Sequence, residues 1–223
     1  MTASPFKLYG YWRSSATWRV RIALQLKEIP YQYIPVNLVK DGGEQYKPEH
    51  QARNPMSQVP VLEWQQGSET RRLSQSMAII EYLDETGPGP RLLPEDPLLR
   101  AQARMLAEHV NSGIQPLHNA IVQKRIRELV PADKSDARWA AEWISRGLLG
   151  LEGAVKPLAG RCCLGDSISL PDLFLAPQMY NARRFQVDLS LVPTLSRIEA
   201  FLAAQPAFLA AHADRQSDAP TKE

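Results

Sequence analysis

Residues 6–36 read FKLYGYWRSSATWRVRIALQLKEIPYQYIPV, and this stretch decides the fold. From Phe6 to Tyr11 large apolar residues alternate with others, which suits a first strand. Arg13, Ser14 and Ser15 interrupt the alternation. Either serine can cap a helix in which Trp18, Ile22 and Leu26 recur four apart, with Ala23 beside them. Residues 31–36 are β-branched and aromatic, a second strand, so the opening reads as a βαβ unit. Working outward, residues 61–64 and 71–74 bracket Gly67 as a hairpin. A helix from about residue 76 to 85 turns Ile79, Ile80 and Leu83 inward and stops at Gly87-Pro88-Gly89-Pro90.

Beyond that cluster the pattern becomes purely helical. Asp96-Pro97 is a cap followed by proline at the first helical position, after which Leu99, Ala103, Leu106 and Val110 share one face. Further helices are expected over residues 137–155, 170–181 and 193–204, and the polar stretch from Asp214 onward is expected to fray. Ser169 and Asp172 form an N-terminal capping pair whose job is structural. The domain boundaries drawn on the sequence are 1–87, a linker at 88–95, and a helical domain at 96–223.

A length of 223 residues fits two small domains, and 44% hydrophobic with 22% charged residues is an ordinary globular mix. Lys and Arg number 26 against 24 Asp and Glu, with no block of like charge to track a phosphate backbone, so no nucleic-acid partner is expected. The apolar stretches fall short of the roughly 18 residues of a spanning helix, which argues against a membrane partner. Met1 to Tyr11 lacks a signal-type apolar core, and the expected location is the cytoplasm. Cys162 and Cys163 are neighbours outside any C-x-x-C spacing and read as buried thiols. The histidines lack metal-ligand spacing, so no metal is expected.

Three places can carry chemistry, each with a plainer reading beside it. Ser14 and Ser15 sit where free N–H groups and the helix dipole favour an anion, yet a helix cap explains them equally. No G-x-S-x-G elbow accompanies them, which excludes an acyl-transfer serine and leaves hydrogen bonding to an anion. Asn54-Pro55 followed by Val59-Pro60-Val61 puts proline at a strand entrance. A cis bond there turns the Val59 backbone toward a ligand, and an ordinary turn is the alternative. Ser74-Gln75-Ser76 opens a helix and offers an amide, a hydroxyl and backbone N–H groups to a carboxylate, or simply caps it.

The run SSATWRVRIAL at residues 14–24 resembles the signature of zeta-class glutathione transferases, whose best-known activity is maleylacetoacetate isomerase. NPMSQVP at 54–60, QSMAIIEYL at 75–83, GIQPL at 113–117 and NARRF at 181–185 match in the same order, so the resemblance covers nearly the whole chain. It implies a thioredoxin-like α/β N-terminal domain that binds glutathione, an all-α C-terminal domain that supplies the electrophile pocket, and a homodimer. By the resemblance, Ser14 and Ser15 are catalytic and hold the glutathione thiolate, Val59 pairs with the cysteinyl backbone, and Gln75 and Ser76 hold the γ-glutamyl group. Gln45, Gln115 and Asn119 complete the cofactor set, while Arg184 binds the carboxylates of a diacid substrate, with Arg19 and Arg21 as lesser contenders whose alternative is to pin the dimer or the domain interface. The implied reaction is cis–trans isomerisation, in which thiolate addition turns a double bond into one that rotates before elimination. Maleylpyruvate isomerisation and glutathione transfer to small haloacids are the neighbouring alternatives, and a non-catalytic glutathione-binding module is the rival of another class. One departure stands out: the family motif usually reads Ser-Ser-Cys, whereas here Ala16 takes the third place and no thiol neighbours the reacting sulfur.

Overall fold

The computed structural model describes residues 6–130 and 136–220. In chain order its strands and α-helices are β1 (Phe6–Gly10), α1 (Ser15–Leu26), β2 (Tyr31–Pro35), α2 (Pro48–Gln51), β3 (Val61–Gln66), β4 (Glu69–Ser74), α3 (Ser76–Thr86), α4 (Pro97–Glu108), α5 (Ala120–Leu129), α6 (Asp136–Val155), α7 (Leu170–Arg184), α8 (Pro193–Ala203) and α9 (Pro206–Ala211). They form two compact units, Met1–Pro90 with Pro206–Glu223, and Arg91–Gln205. The first division falls inside the linker expected at 88–95. The second departs from the sequence boundaries, which kept 96–223 together, because the closing segment belongs with the first unit.

The first unit is a four-stranded sheet in the order β2-β1-β3-β4, with β2 parallel to β1 and the other pairs antiparallel. Side chains alternate across it. Leu8 stands opposite Leu62, both fully buried, while Tyr9 stands opposite Val61 and joins Val36, Ile34, Leu38 and Val59 in a second cluster. The β3–β4 turn places Gly67 at a φ of 63°, a conformation that costs glycine little.

Helix α1 explains why the chain end returns. Thr17 through Leu24 are all buried, Arg19 and Arg21 included, so the helix has almost no solvent face and needs more than one neighbour. It packs against α3 and also against α9. Arg21 donates from Nε to the Ala211 carbonyl at 3.1 Å, and Trp18 meets His212 edge-on. The stretch after α9 was expected to fray from Asp214. Instead Asp218 accepts hydrogen bonds from the Trp12 N–H at 3.0 Å and the Tyr33 hydroxyl at 3.3 Å. At the far end of α1, Lys27 forms a buried ion pair with Asp84 of α3 at 3.2 Å and donates to the Pro90 carbonyl.

In the helical unit α4 continues into a π-helical turn, His109–Ile114, and a 3-10 turn, Gln115–His118, before α5, an element the sequence reading did not anticipate. Helix α7, buried over most of its length, packs on α4 and α8 and runs to Arg184, beyond the expected end at 181. Its capping box is formed as expected. Asp172 accepts from the Ser169 N–H at 2.8 Å, and its other oxygen accepts from the Cys163 N–H at 2.9 Å. Burial pushes the Asp172 carboxyl above the usual carboxylate range against the pull of those N–H groups. Both cysteines are free and buried; burial raises the Cys162 thiol to about 12 and the Cys163 thiol well above its ordinary value. Among the described residues no helix is long and apolar enough to cross a membrane, and no cluster of His, Cys, Asp or Glu could hold a metal.

Candidate active site

The turn after β1 presents the first site. The Ser14 N–H donates to the Tyr11 carbonyl at 3.0 Å, closing a four-residue turn, and Ser14 becomes the N-cap of α1 in extended geometry. Its hydroxyl oxygen accepts from the Thr17 N–H at 3.2 Å. Because the oxygen takes the cap bond, the hydroxyl proton remains to be donated to an anion, beside first-turn N–H groups that have no intrahelical carbonyl. Cap and anion donor, set against each other in the sequence, are thus compatible in one side chain. Ser14 is half-buried and reachable, whereas Ser15, at the first helical position, is only 7% exposed. A Cβ at Gly10 would collide with Thr17, so glycine is what lets the strand end pass this close to the helix start.

The Val59–Pro60 peptide is cis, as the strand-entry proline suggested. Neither the N–H nor the C=O of Val59 enters a hydrogen bond among the described residues. The preceding carbonyl, of Gln58, is by contrast held twice, by Asn54 Nδ2 at 3.0 Å and His50 Nε2 at 2.9 Å. His50 is buried, and its bond to a carbonyl makes Nε2 the protonated nitrogen. In the sequence His50 has no local signature, because it is a lone histidine four residues before Asn54-Pro55.

Gln75 holds a φ of 72° at the start of α3, a conformation uncommon for a residue with a side chain. Its amide donates to Gln58 Oε1 at 3.4 Å, which ties α3 to the Val59 loop. Ser76 is 3% exposed, and its hydroxyl accepts from Arg19 Nη1 at 3.3 Å. Gln45 is buried in a loop closed by reciprocal bonds between Asn37 and Glu44, each 2.8 Å. The Asn37 N–H, then Lys47, hold the Glu44 carboxyl below its ordinary range. Gln45 Nε2 reaches the carbonyl of Leu38, whose side chain packs in the same cluster as Val59. Contacts within the first unit thus link Gln45 to the Val59 cluster and Gln75 to the Val59 loop, while Ser14 and Ser15 open the helix whose Arg19 reaches Ser76.

Arg19, by the resemblance a lesser contender for the substrate, is 0% exposed, and its Nη1 donates to the Ser76 hydroxyl, which places it behind that residue. In the helical unit Gln115 donates to Asn119 Oδ1 at 2.7 Å, bringing that predicted pair together. Arg183 grips Glu199 with two bonds of 2.6 and 2.7 Å, while exposed Arg184 lies over the Phe185 ring at 4.8 Å. The adjacent arginines thus differ: Arg183 is a helix-to-helix tie.

A strand, an N-cap serine, a helix, a parallel strand and a cis proline entering an antiparallel hairpin describe the glutathione-binding class of thioredoxin-like domains, and residues 4–85 match the family "Glutathione S-transferase, N-terminal domain". The whole chain is 47% identical over 222 residues to maleylacetoacetate isomerase of Rattus norvegicus, covering 100% of this chain and 99% of that one. A crystal structure of maleylacetoacetate isomerase from Anaeromyxobacter dehalogenans 2CP-1 with glutathione bound in the active site is 52% identical, with a TM-score of 0.89 over 99% of this chain and 100% of that chain. The same enzyme has also been solved with dicarboxyethyl glutathione and citrate, at 51% identity and a TM-score of 0.89. The holo structure of a zeta-class maleylpyruvate isomerase is 40% identical, with a TM-score of 0.87 over 96% of this chain and all of that one. The chain belongs to the maleylacetoacetate isomerase family of zeta-class glutathione transferases.

Proposed function

We infer that the protein is a glutathione-dependent cis–trans isomerase of a maleyl keto diacid, converting maleylacetoacetate to its fumaryl isomer. The observation that carries the reading is the Ser14 hydroxyl, whose oxygen is engaged by the Thr17 N–H and whose proton is left for a thiolate. The donors of the first unit fit the cofactor: a hydroxyl for sulfur, a strand-like Val59 amide for a peptide, and Gln75 with Ser76 for an amino-acid end. Bound there, glutathione supplies a nucleophile that adds to and leaves the alkene, so that the intervening single bond can rotate. Ser14 keeps the sulfur ionised, with Ser15 and the α1 N-terminus adding positive potential. Val59 and Gln75–Ser76 fix the peptide, while Gln45, Gln115 and Asn119 are proposed as its remaining polar contacts. Arg184 is proposed to take a substrate carboxylate, since guanidinium binds it through two parallel bonds. We also propose a cytoplasmic homodimer on the family resemblance, for which sedimentation should give twice the 25.0 kDa of one chain.

Maleylpyruvate is the second reading, favoured by the likeness to the zeta-class maleylpyruvate isomerase. Incubating both cis diacids with enzyme and glutathione decides between them: the first reading requires the larger kcat/KM for maleylacetoacetate, and a preference for maleylpyruvate reverses it.

Two variants separate binding from chemistry. Gln75→Ala should raise the KM for glutathione and leave kcat at saturation nearly intact, the pattern of lost uniform binding. Equal loss in both would place Gln75 in the chemical step. Arg184→Lys keeps the charge and loses the fork, so the KM for the diacid should rise severalfold while glutathione affinity stays put. Should Arg184→Ala isomerise the diacid as well as wild type, the carboxylate anchor lies elsewhere.

A further inference from the structure

The closing segment of the chain reaches the turn that presents Ser14. Residues Tyr11 to Ser14 form that turn, with Trp12 and Arg13 at its centre. The peptide groups of Trp12 are held from both sides: Asp218 Oδ2 accepts its N–H at 3.0 Å, and Arg21 Nη2 donates to its carbonyl at 2.8 Å. Both arms depend on the chain end, because Asp218 lies beyond α9 and Arg21 is itself aimed by the Ala211 carbonyl. The Tyr33 hydroxyl, a second donor to Asp218 Oδ2, fixes the carboxylate against β2. Burial raises the Tyr33 phenol, which keeps it a proton donor. The charged bond to Trp12 spans 206 positions in sequence, and the turn it holds closes on Ser14 through the Tyr11 carbonyl.

We propose that Asp218 is a positioning residue for Ser14: with Arg21 it clamps the Trp12 peptide and thereby holds the hydroxyl that keeps the bound thiol ionised. The proposal rests on the reading of Ser14 given above. It differs from a mere anchor of the chain end in predicting that loss of Asp218 is felt at the sulfur.

The test uses the full chain as Asp218→Ala, Asp218→Asn, Ser14→Ala and the double variant Ser14→Ala with Asp218→Ala. The readouts are hydrogen exchange of the Trp12 amide without glutathione, the pKa of bound glutathione from thiolate absorbance, and kcat with the KM for glutathione. Asp218→Ala should speed Trp12 exchange, raise the bound thiol pKa by about half a unit to one unit and, below that pKa, lower kcat roughly three- to tenfold, with KM little changed. Asp218→Asn, which retains an oxygen for the Trp12 N–H, should recover most of the loss. In the Ser14→Ala background Asp218→Ala should add nothing further. A wild-type thiol pKa and kcat in Asp218→Ala overturns the proposal, as does simple addition of the two losses, which reduces Asp218 to a tail anchor. If Asp218→Ala fails to fold, Asp218→Ser, whose side chain is too short to reach Trp12, is judged by the same criteria. An unshifted thiol pKa in Ser14→Ala overturns the Ser14 reading and the proposal together, whereas a shift there with none from Asp218 overturns the proposal alone.

Discussion

Replacing Ser14 by alanine is expected to slow isomerisation about ten- to hundredfold, the size of losing a hydrogen bond to a charged group at roughly 1.5–3 kcal/mol. The same change should raise the pKa of bound glutathione, because the hydroxyl favours the ionised sulfur. The sign fixes the pH dependence: with a raised thiol pKa less thiolate is present near neutrality, so the deficit is largest at low pH and shrinks as pH rises. The fold should survive, since losing the N-cap costs only about 1 kcal/mol. Ser15→Ala should cost less, as Ser15 lies inside the first turn and is buried, whereas Ser14 stands at the reachable edge. Rate constants near the wild-type value in Ser14→Ala would remove the thiolate role from this residue.

Asp84→Ala should lower stability strongly. It strips a carboxylate from the Lys27 ammonium, 3.2 Å away, with both side chains at most 3% exposed. Breaking such a pair leaves a buried charge behind and costs about 3–5 kcal/mol. The Pro90 carbonyl remains as a neutral acceptor and offsets part of this. For a chain of this size the loss corresponds to roughly 6–20 °C in the midpoint of thermal unfolding. Replacing both partners, as Lys27→Met with Asp84→Leu, should restore most of it, because a matched apolar pair has no charge to strand. A midpoint within a degree or two of wild type in Asp84→Ala would show that water reaches Lys27.

The parts that local chemistry determines were legible in the sequence. Alternation gave β1, the serine cap gave the start of α1, Val59-Pro60 marked the strand entrance, and Ser169 with Asp172 marked the start of α7; each depends on residues within a few positions of one another. What escaped depends on distant partners. Helix α9 has only six residues, too few to show a period, and Asp218 sits in a polar stretch whose composition resembles a frayed end. Arg19 is only a lesser contender for the substrate on the sequence. That it is buried behind Ser76 follows from α1 being covered by both α3 and α9, which no pattern within α1 reveals. The distinction between Arg183 and Arg184 likewise waited on Glu199, on another helix.

On the function proposed above, glutathione acts as a catalyst returned at every turnover. This is tested most directly by supplying maleylacetoacetate in large excess over glutathione and following both compounds with the enzyme present. Complete conversion of the cis diacid to the trans isomer is expected, with the free thiol undiminished at the end. Conversion that stops when glutathione is used up, with a stable adduct in its place, would contradict it.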